Sequence, residues 1–140
     1  MTLKERPIVT NLDRLRLGDM SRSLRARWAW RGAGHVSQLE RRMQRAAVVA
    51  AEAVGSDVVT MNSRVRARDI HSGRRETLTL VYHSDSGGLD GTVSVLTQLG
   101  NALLGARVGD VIVWEFRYGA RELEIEQVIY QPEAAGHFDL

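Results

Sequence analysis

The sequence predicts an α+β chain: an N-terminal antiparallel helical hairpin, in effect a short coiled coil, followed by an antiparallel sheet wrapped on one helix. Three observations carry this expectation. Residues 11–54 repeat apolar side chains at helical spacing, residues 58–82 and 111–128 alternate at strand spacing, and residues 97–105 form one capped helical stretch between the strand-like regions. A lone helix bracketed by strands buries its apolar stripe in a sheet that curls around it.

The elements follow in chain order. Pro7-Ile8-Val9-Thr10 is apolar and extended in character, because Pro7 lacks a backbone donor and restricts its neighbour. Asn11 or Asp13 is expected to cap a helix running to about Trp28 or Trp30. Leu17, Met20, Leu24 and Trp28 are its inward positions, with Leu12 and Leu15 nearer the base. Gly18 costs this helix about 1 kcal/mol relative to alanine, so it needs a partner. The partner is signalled by Val36, Leu39, Met43, Ala46, Ala50 and Ala53, which recur at spacings of three and four. Between the two, Trp30-Arg31-Gly32-Ala33-Gly34-His35 is expected to turn on its glycines. Arms of about 17 residues would reach about 25 Å.

Val54-Gly55-Ser56-Asp57 breaks the helical pattern, so the hairpin is assigned to residues 1–54 and the sheet domain to residues 55–140. Residues 58–70 read as strand with an irregularity at Asn62-Ser63, and His71-Ser72-Gly73 turns the chain. Leu78, Leu80 and Tyr82 then alternate with Thr77, Thr79 and Val81, and residues 84–91 form a loop by composition. A brief strand over residues 92–95 leads into the central helix. Thr97 is its N-cap, Leu99, Ala102 and Leu103 share one face, and Gly105 suits a left-handed C-terminal cap. After the turn at Gly109-Asp110, Ile112, Trp114 and Phe116 point to one face of a strand; Gly119 turns into another in which Leu123 and Ile125 alternate with Glu122, Glu124 and Glu126. The slip in alternation at Gln127-Val128 predicts a bulge or a change of burial. The three glutamates read as a solvated strand face and Trp114 as core.

Composition narrows the function. The chain of 140 residues has no cysteine, which removes disulfides and thiolate metal sites, and no apolar run long enough for a membrane span. A cytoplasmic, membrane-free protein is expected. The net charge of +2 conceals a division: residues 1–54 hold eleven Lys and Arg against five Asp and Glu (+6), and residues 55–140 hold eight against twelve (−4). Most of the arginines read as solvated helix faces, while the asymmetry can steer the chain toward an acidic partner. The four histidines lack metal-ligand spacing, and no nucleophile–base pair or phosphate-binding glycine motif occurs. No metal and no cofactor are expected.

Three blocks are more specific: Val59-Thr60-Met61-Asn62-Ser63-Arg64-Val65, residues 97–110, and Tyr130-Gln131-Pro132-Glu133-Ala134-Ala135-Gly136. Together, across residues 57–140, they resemble the bacterial regulator of nucleoside diphosphate kinase family, which is related to the Gre transcript-cleavage factors of RNA polymerase. The resemblance implies a sheet domain like that of FK506-binding proteins, placed at the polymerase secondary-channel rim with the hairpin directed inward. It implies rim contact by the loop entering the central helix, here Leu96, Thr97 and Gln98, although the family usually has proline at the position of Gln98. Thr97 as a mere cap and Leu96 as mere core remain open.

Gre factors cleave transcripts with acidic side chains at the hairpin tip, which hold a metal ion and a water. Here residues 27–35 contain no Asp or Glu; the tip instead offers Arg27, Trp28, Trp30, Arg31 and His35. Trp28 falls on the seam and reads as core, whereas Trp30 lies off it and suits core or partner anchoring equally. The expectation is a monomeric, noncatalytic polymerase-binding regulator that competes with Gre factors, affects nucleoside diphosphate kinase indirectly, and reads no nucleic-acid sequence directly. Two other readings stand beside it: a prolyl isomerase on the FK506-binding fold, needing an aromatic pocket, and a basic nucleic-acid binder, needing affinity that falls steeply with salt.

Overall fold

The computed structural model describes residues 6–27, 33–82, 91–116 and 118–138. The first part of the chain is β1 (Ile8–Thr10), α1 (Asn11–Arg27), α2 (Ala33–Arg45), β2 (Ala47–Val49) and a 3₁₀ turn (Ala51–Ala53). The remainder comprises β3 (Arg64–Asp69), β4 (Arg75–Val81), β5 (Thr92–Ser94), α3 (Gln98–Leu103), β6 (Val111–Phe116) and β7 (Gly119–Tyr130). The architecture is the expected α+β one. Its main sheet runs β5-β4-β3-β7-β6, antiparallel at every neighbouring pair except β4 with β5.

The inward faces of this sheet close on α3. Val65, Ala67, Leu78, Leu80, Ile112, Leu123 and Ile125 are buried with Leu103 and Leu104. The same cluster continues into Val9, Leu17, Leu39 and Ala46, so the foot of the hairpin and the sheet share one core. Trp114 packs against it half-buried, with the Arg121 guanidinium 4.9 Å from its ring centroid. The predicted irregularity in β7 is present as two register shifts against β3, where Val65 faces Val128 and Ala67 faces Ile125.

Other expectations are corrected. The cap of α1 is Thr10, whose Oγ1 accepts the Asp13 amide at 3.0 Å; Asn11 and Asp13 do other work. Leu15 is 62% exposed, because it lies about 200° around the helix from Leu17. Leu17 and Leu24 are buried as expected and Met20 packs half-buried against the core, but the buried stripe also includes Asp13 and Ser21 and runs Asp13, Leu17, Ser21, Leu24 at spacings of four, four and three. Two of its four members are polar, which is why the apolar signal of α1 is weak. The partner helix begins at Ala33, so Gly34 lies in its first turn rather than in a connecting turn, and it ends at Arg45. Ala46, Ala50 and Ala53 therefore do not continue a helical seam. The chain between them pairs in parallel with β1, Ile8 facing Ala47 and Thr10 facing Val49, and the Ala47 amide bonds the Pro7 carbonyl at 2.8 Å. Two adjacent valines and an unsatisfied strand edge outweigh the helix propensity of the alanines.

Strand structure in the next segment is confined to residues 64–69. Val58 to Met61 are buried without joining the main sheet, and Asn62 takes a left-handed conformation (φ 65°) that turns the chain. The expected solvated glutamates of β7 form a charge ladder instead: Glu124 binds Arg68 at 2.8 Å, Glu126 binds Arg75 at 2.9 Å, and Glu122 lies 3.2 Å from His71. The loop at residues 84–91 falls almost wholly outside the described residues.

Candidate functional site

The loop that enters α3 is built from the end of β5. Thr97 donates its hydroxyl to the Ser94 carbonyl (2.7 Å) and accepts the Gly100 amide (3.0 Å), so its polar atoms serve the helix N-terminus. The Leu96 amide bonds Ser94 Oγ at 3.1 Å and its side chain packs half-buried against the core. Gln98 is exposed in the first helical turn, and among the described residues its side-chain amide has no hydrogen-bond partner. Beneath the loop, Gly100 is pressed against the Ser94 backbone, and at the far end Gly105 adopts φ 82° beside Pro7.

The hairpin is fastened to the other end of the same helix. Arg42 of α2 donates to the Leu104 carbonyl at 2.8 and 3.0 Å and to the Ala102 carbonyl at 3.3 Å. A guanidinium there satisfies carbonyls that have no intrahelical partner and opposes the negative end of the helix dipole. Burial pulls its pKa down to about 10, with Arg45 contributing, yet it remains a cation at neutral pH. Replacing Arg42 with methionine is expected to cost about 3 kcal/mol in urea unfolding, because the carbonyls are left buried and unpaired.

On its other side the hairpin is held through Asp13. This side chain is 1% exposed, and its Oδ2 accepts the Met61 amide at 2.9 Å. Burial drives the carboxyl up to about 7; the Met61 bond and Arg16 oppose the rise, and Glu133 adds to it. Glu133 accepts the Thr60 hydroxyl at 2.7 Å, and Thr60 in turn lies 2.9 Å from Ser63 Oγ. Arg16 reaches the Phe138 carbonyl at 2.9 Å. First helix, Thr60–Ser63 turn and C-terminal segment thus meet in one polar joint. The sequence offers Asn11 or Asp13 as the cap; the place of Asp13 four residues before Leu17 on one helical face is the signal of its buried role.

At the tip, Arg27 ends α1 and His35 lies in the first turn of α2. Trp28, Trp30 and Arg31 lie outside the described residues. Farther down the arms the exposed Asp19 is engaged by Arg22 and the half-buried Glu40 by Arg25 from the opposite helix, which holds the Glu40 carboxyl below its ordinary range.

The family description "Transcription elongation factor, GreA/GreB, C-term" matches residues 54–130. The chain belongs to the GreA/GreB family. It is 41% identical over 111 residues to the "Regulator of nucleoside diphosphate kinase" of Escherichia coli (strain K12), a match covering 79% of this chain and 82% of that one. To the "Transcription elongation factor GreA" of Limosilactobacillus fermentum it is 30% identical over 95 residues, 68% of this chain and 60% of the relative. Among solved structures, "Prokaryotic transcription elongation factor GreA/GreB from Nitrosomonas europaea" superposes with a TM-score of 0.73 at 35% identity, covering 90% of this chain and 99% of that one.

Within this GreA/GreB chain, the three blocks that carried the resemblance do structural work. The first forms the Thr60–Ser63 turn, and the second caps α3 at both ends. In the third, Gln131 donates to the Gly55 and Val58 carbonyls at 2.8 Å each, and Glu133 holds Thr60.

Proposed function

We propose that the chain is a noncatalytic regulator that binds RNA polymerase at the entrance of its secondary channel, with residues 55–140 as the docking head and residues 1–54 as an inward prong. Leu96, Thr97 and Gln98 meet the channel rim. Arg27, Trp28, Trp30, Arg31 and His35 form the leading end. The protein acts as a cytoplasmic monomer, excludes Gre factors by occupying their place, and influences nucleoside diphosphate kinase through transcription.

One observation carries this reading beyond family membership. The short helix α3 presents the docking loop at its N-terminus and is gripped at its C-terminus by Arg42 of the hairpin, so docking fixes the prong's direction. A carboxylate-free tip sequence supports occupancy without cleavage.

The test is retention of core polymerase by the tagged chain, with displacement by a Gre factor and a transcript-cleavage assay alongside. Retention, mutual displacement and no cleavage are expected; absence of binding at micromolar concentration would overturn the proposal. Gln98→Ala is expected to weaken retention several-fold with unchanged stability, whereas Thr97→Ala lowers stability by about 1 kcal/mol through loss of the cap.

A further inference from the structure

The outer face of the main sheet divides by charge. On β3, Arg64, Arg66 and Arg68 all point away from the core, alternating with buried Val65 and Ala67. Arg68 faces Arg75 and Glu124 on the neighbouring strands and is neutralised by Glu124 and Glu126. Arg75 and Arg121 likewise hold carboxylates. Arg64 and Arg66 differ. Their cross-strand neighbours are Thr79 and Tyr130, and Thr77 and Gln127, all uncharged, and among the described residues neither guanidinium has an ion-pair partner. Opposite charges across neighbouring strands stabilise a sheet, and Arg68 has that arrangement on its β7 side, where Glu124 stands opposite it.

We infer that Arg64 and Arg66 form a docking surface for an extended acidic stretch of a protein partner, two carboxylates two residues apart. Alternate residues on a strand stand about 6.8 Å apart, and an extended peptide repeats its side chains on one face at the same interval. Each carboxylate then meets one guanidinium, while Thr77, Thr79 and Gln127 offer hydrogen bonds to the peptide between them. A nucleic-acid strand fits less well. Its charge recurs at every nucleotide and would run from the two arginines onto the glutamates of β7, on a body of net charge −4. A peptide with two acidic residues and neutral flanks meets no such repulsion.

The experiment is a titration of the isotope-labelled full chain, followed by amide chemical shifts at low salt. Three probes are used: a peptide alternating Glu with Thr, the same peptide with Lys for Glu, and a short oligouridylate. With the Glu peptide, shifts are expected in β3, β4 and β7 around Arg64 and Arg66, and are lost at high salt. The double variant Arg64→Gln/Arg66→Gln should bind roughly tenfold more weakly with an unchanged melting temperature, and Arg41→Gln on the hairpin should bind as the parent does. Shifts centred elsewhere, equal binding by the double variant, or tighter binding of oligouridylate to this face would each overturn the inference.

Discussion

Gly100→Ala is expected to destabilise the fold by at least about 4 kcal/mol, enough to drive much of the protein out of the soluble fraction. A β-carbon at this position would stand 1.9 Å from the Ser94 carbonyl oxygen, 2.7 Å from the Ser94 carbonyl carbon and 2.9 Å from the Val95 Cα. All three are backbone atoms, so no side-chain rotation makes room. Either α3 lifts from the end of β5, breaking the Thr97 cap, or the pairing of β5 with β4 gives way. Gly34→Ala is the control, since a β-carbon there meets nothing within 4 Å and the position is helical. It should be neutral or stabilising by up to about 1 kcal/mol. Urea unfolding of both variants checks the pair, and equal midpoints would refute the close approach.

The second large effect is a pH dependence centred on Asp13. Its carboxyl titrates near 3.8 in the unfolded chain and near 7 in the folded one. As pH rises past the lower value, the unfolded state loses the proton while the folded state keeps it. Stability therefore falls between about pH 4 and pH 7 and levels off above, by at most about 4 kcal/mol for a shift of this size. Asp13→Asn retains an acceptor for the Met61 amide and cannot ionise. The variant is expected to show a much shallower decline, and above pH 7 to be about 2 kcal/mol more stable than the parent. Unfolding free energies at pH 5 and pH 8 for both proteins decide the matter; parallel profiles would show that the buried carboxyl is not the cause.

These two residues also mark how far the sequence could be read. Elements with one strong local signal were legible: the alternation of β4, β6 and β7, and the cap–stripe–glycine grammar of α3. The foot of the hairpin was not. There, alanines at helical spacing gave way to a parallel pairing with β1, a long-range contact that no local period announces. The polar joint was hidden for a related reason. Asp13 and Ser21 sit at core positions of α1, and a polar residue inside a helical stripe reads as solvent-facing until its partner is known. Of the proposed docking trio, capping chemistry identified Thr97, while the half-buried packing of Leu96 and the exposure of Gln98 required the fold. That Arg64 and Arg66 lack an ion-pair partner among the described residues likewise depends on register, which sets threonines, a tyrosine and a glutamine, not glutamates, opposite them.

The parallel pairing of β1 with β2 places the two feet of the prong side by side, Val9 against Val48. Its length is thereby uncoupled from its anchorage: whole turns inserted at matching points in both arms would extend the reach by about 5.4 Å apiece without disturbing the base. A graded series of such insertions would act as a depth gauge for the proposed entry of the hairpin into the polymerase channel.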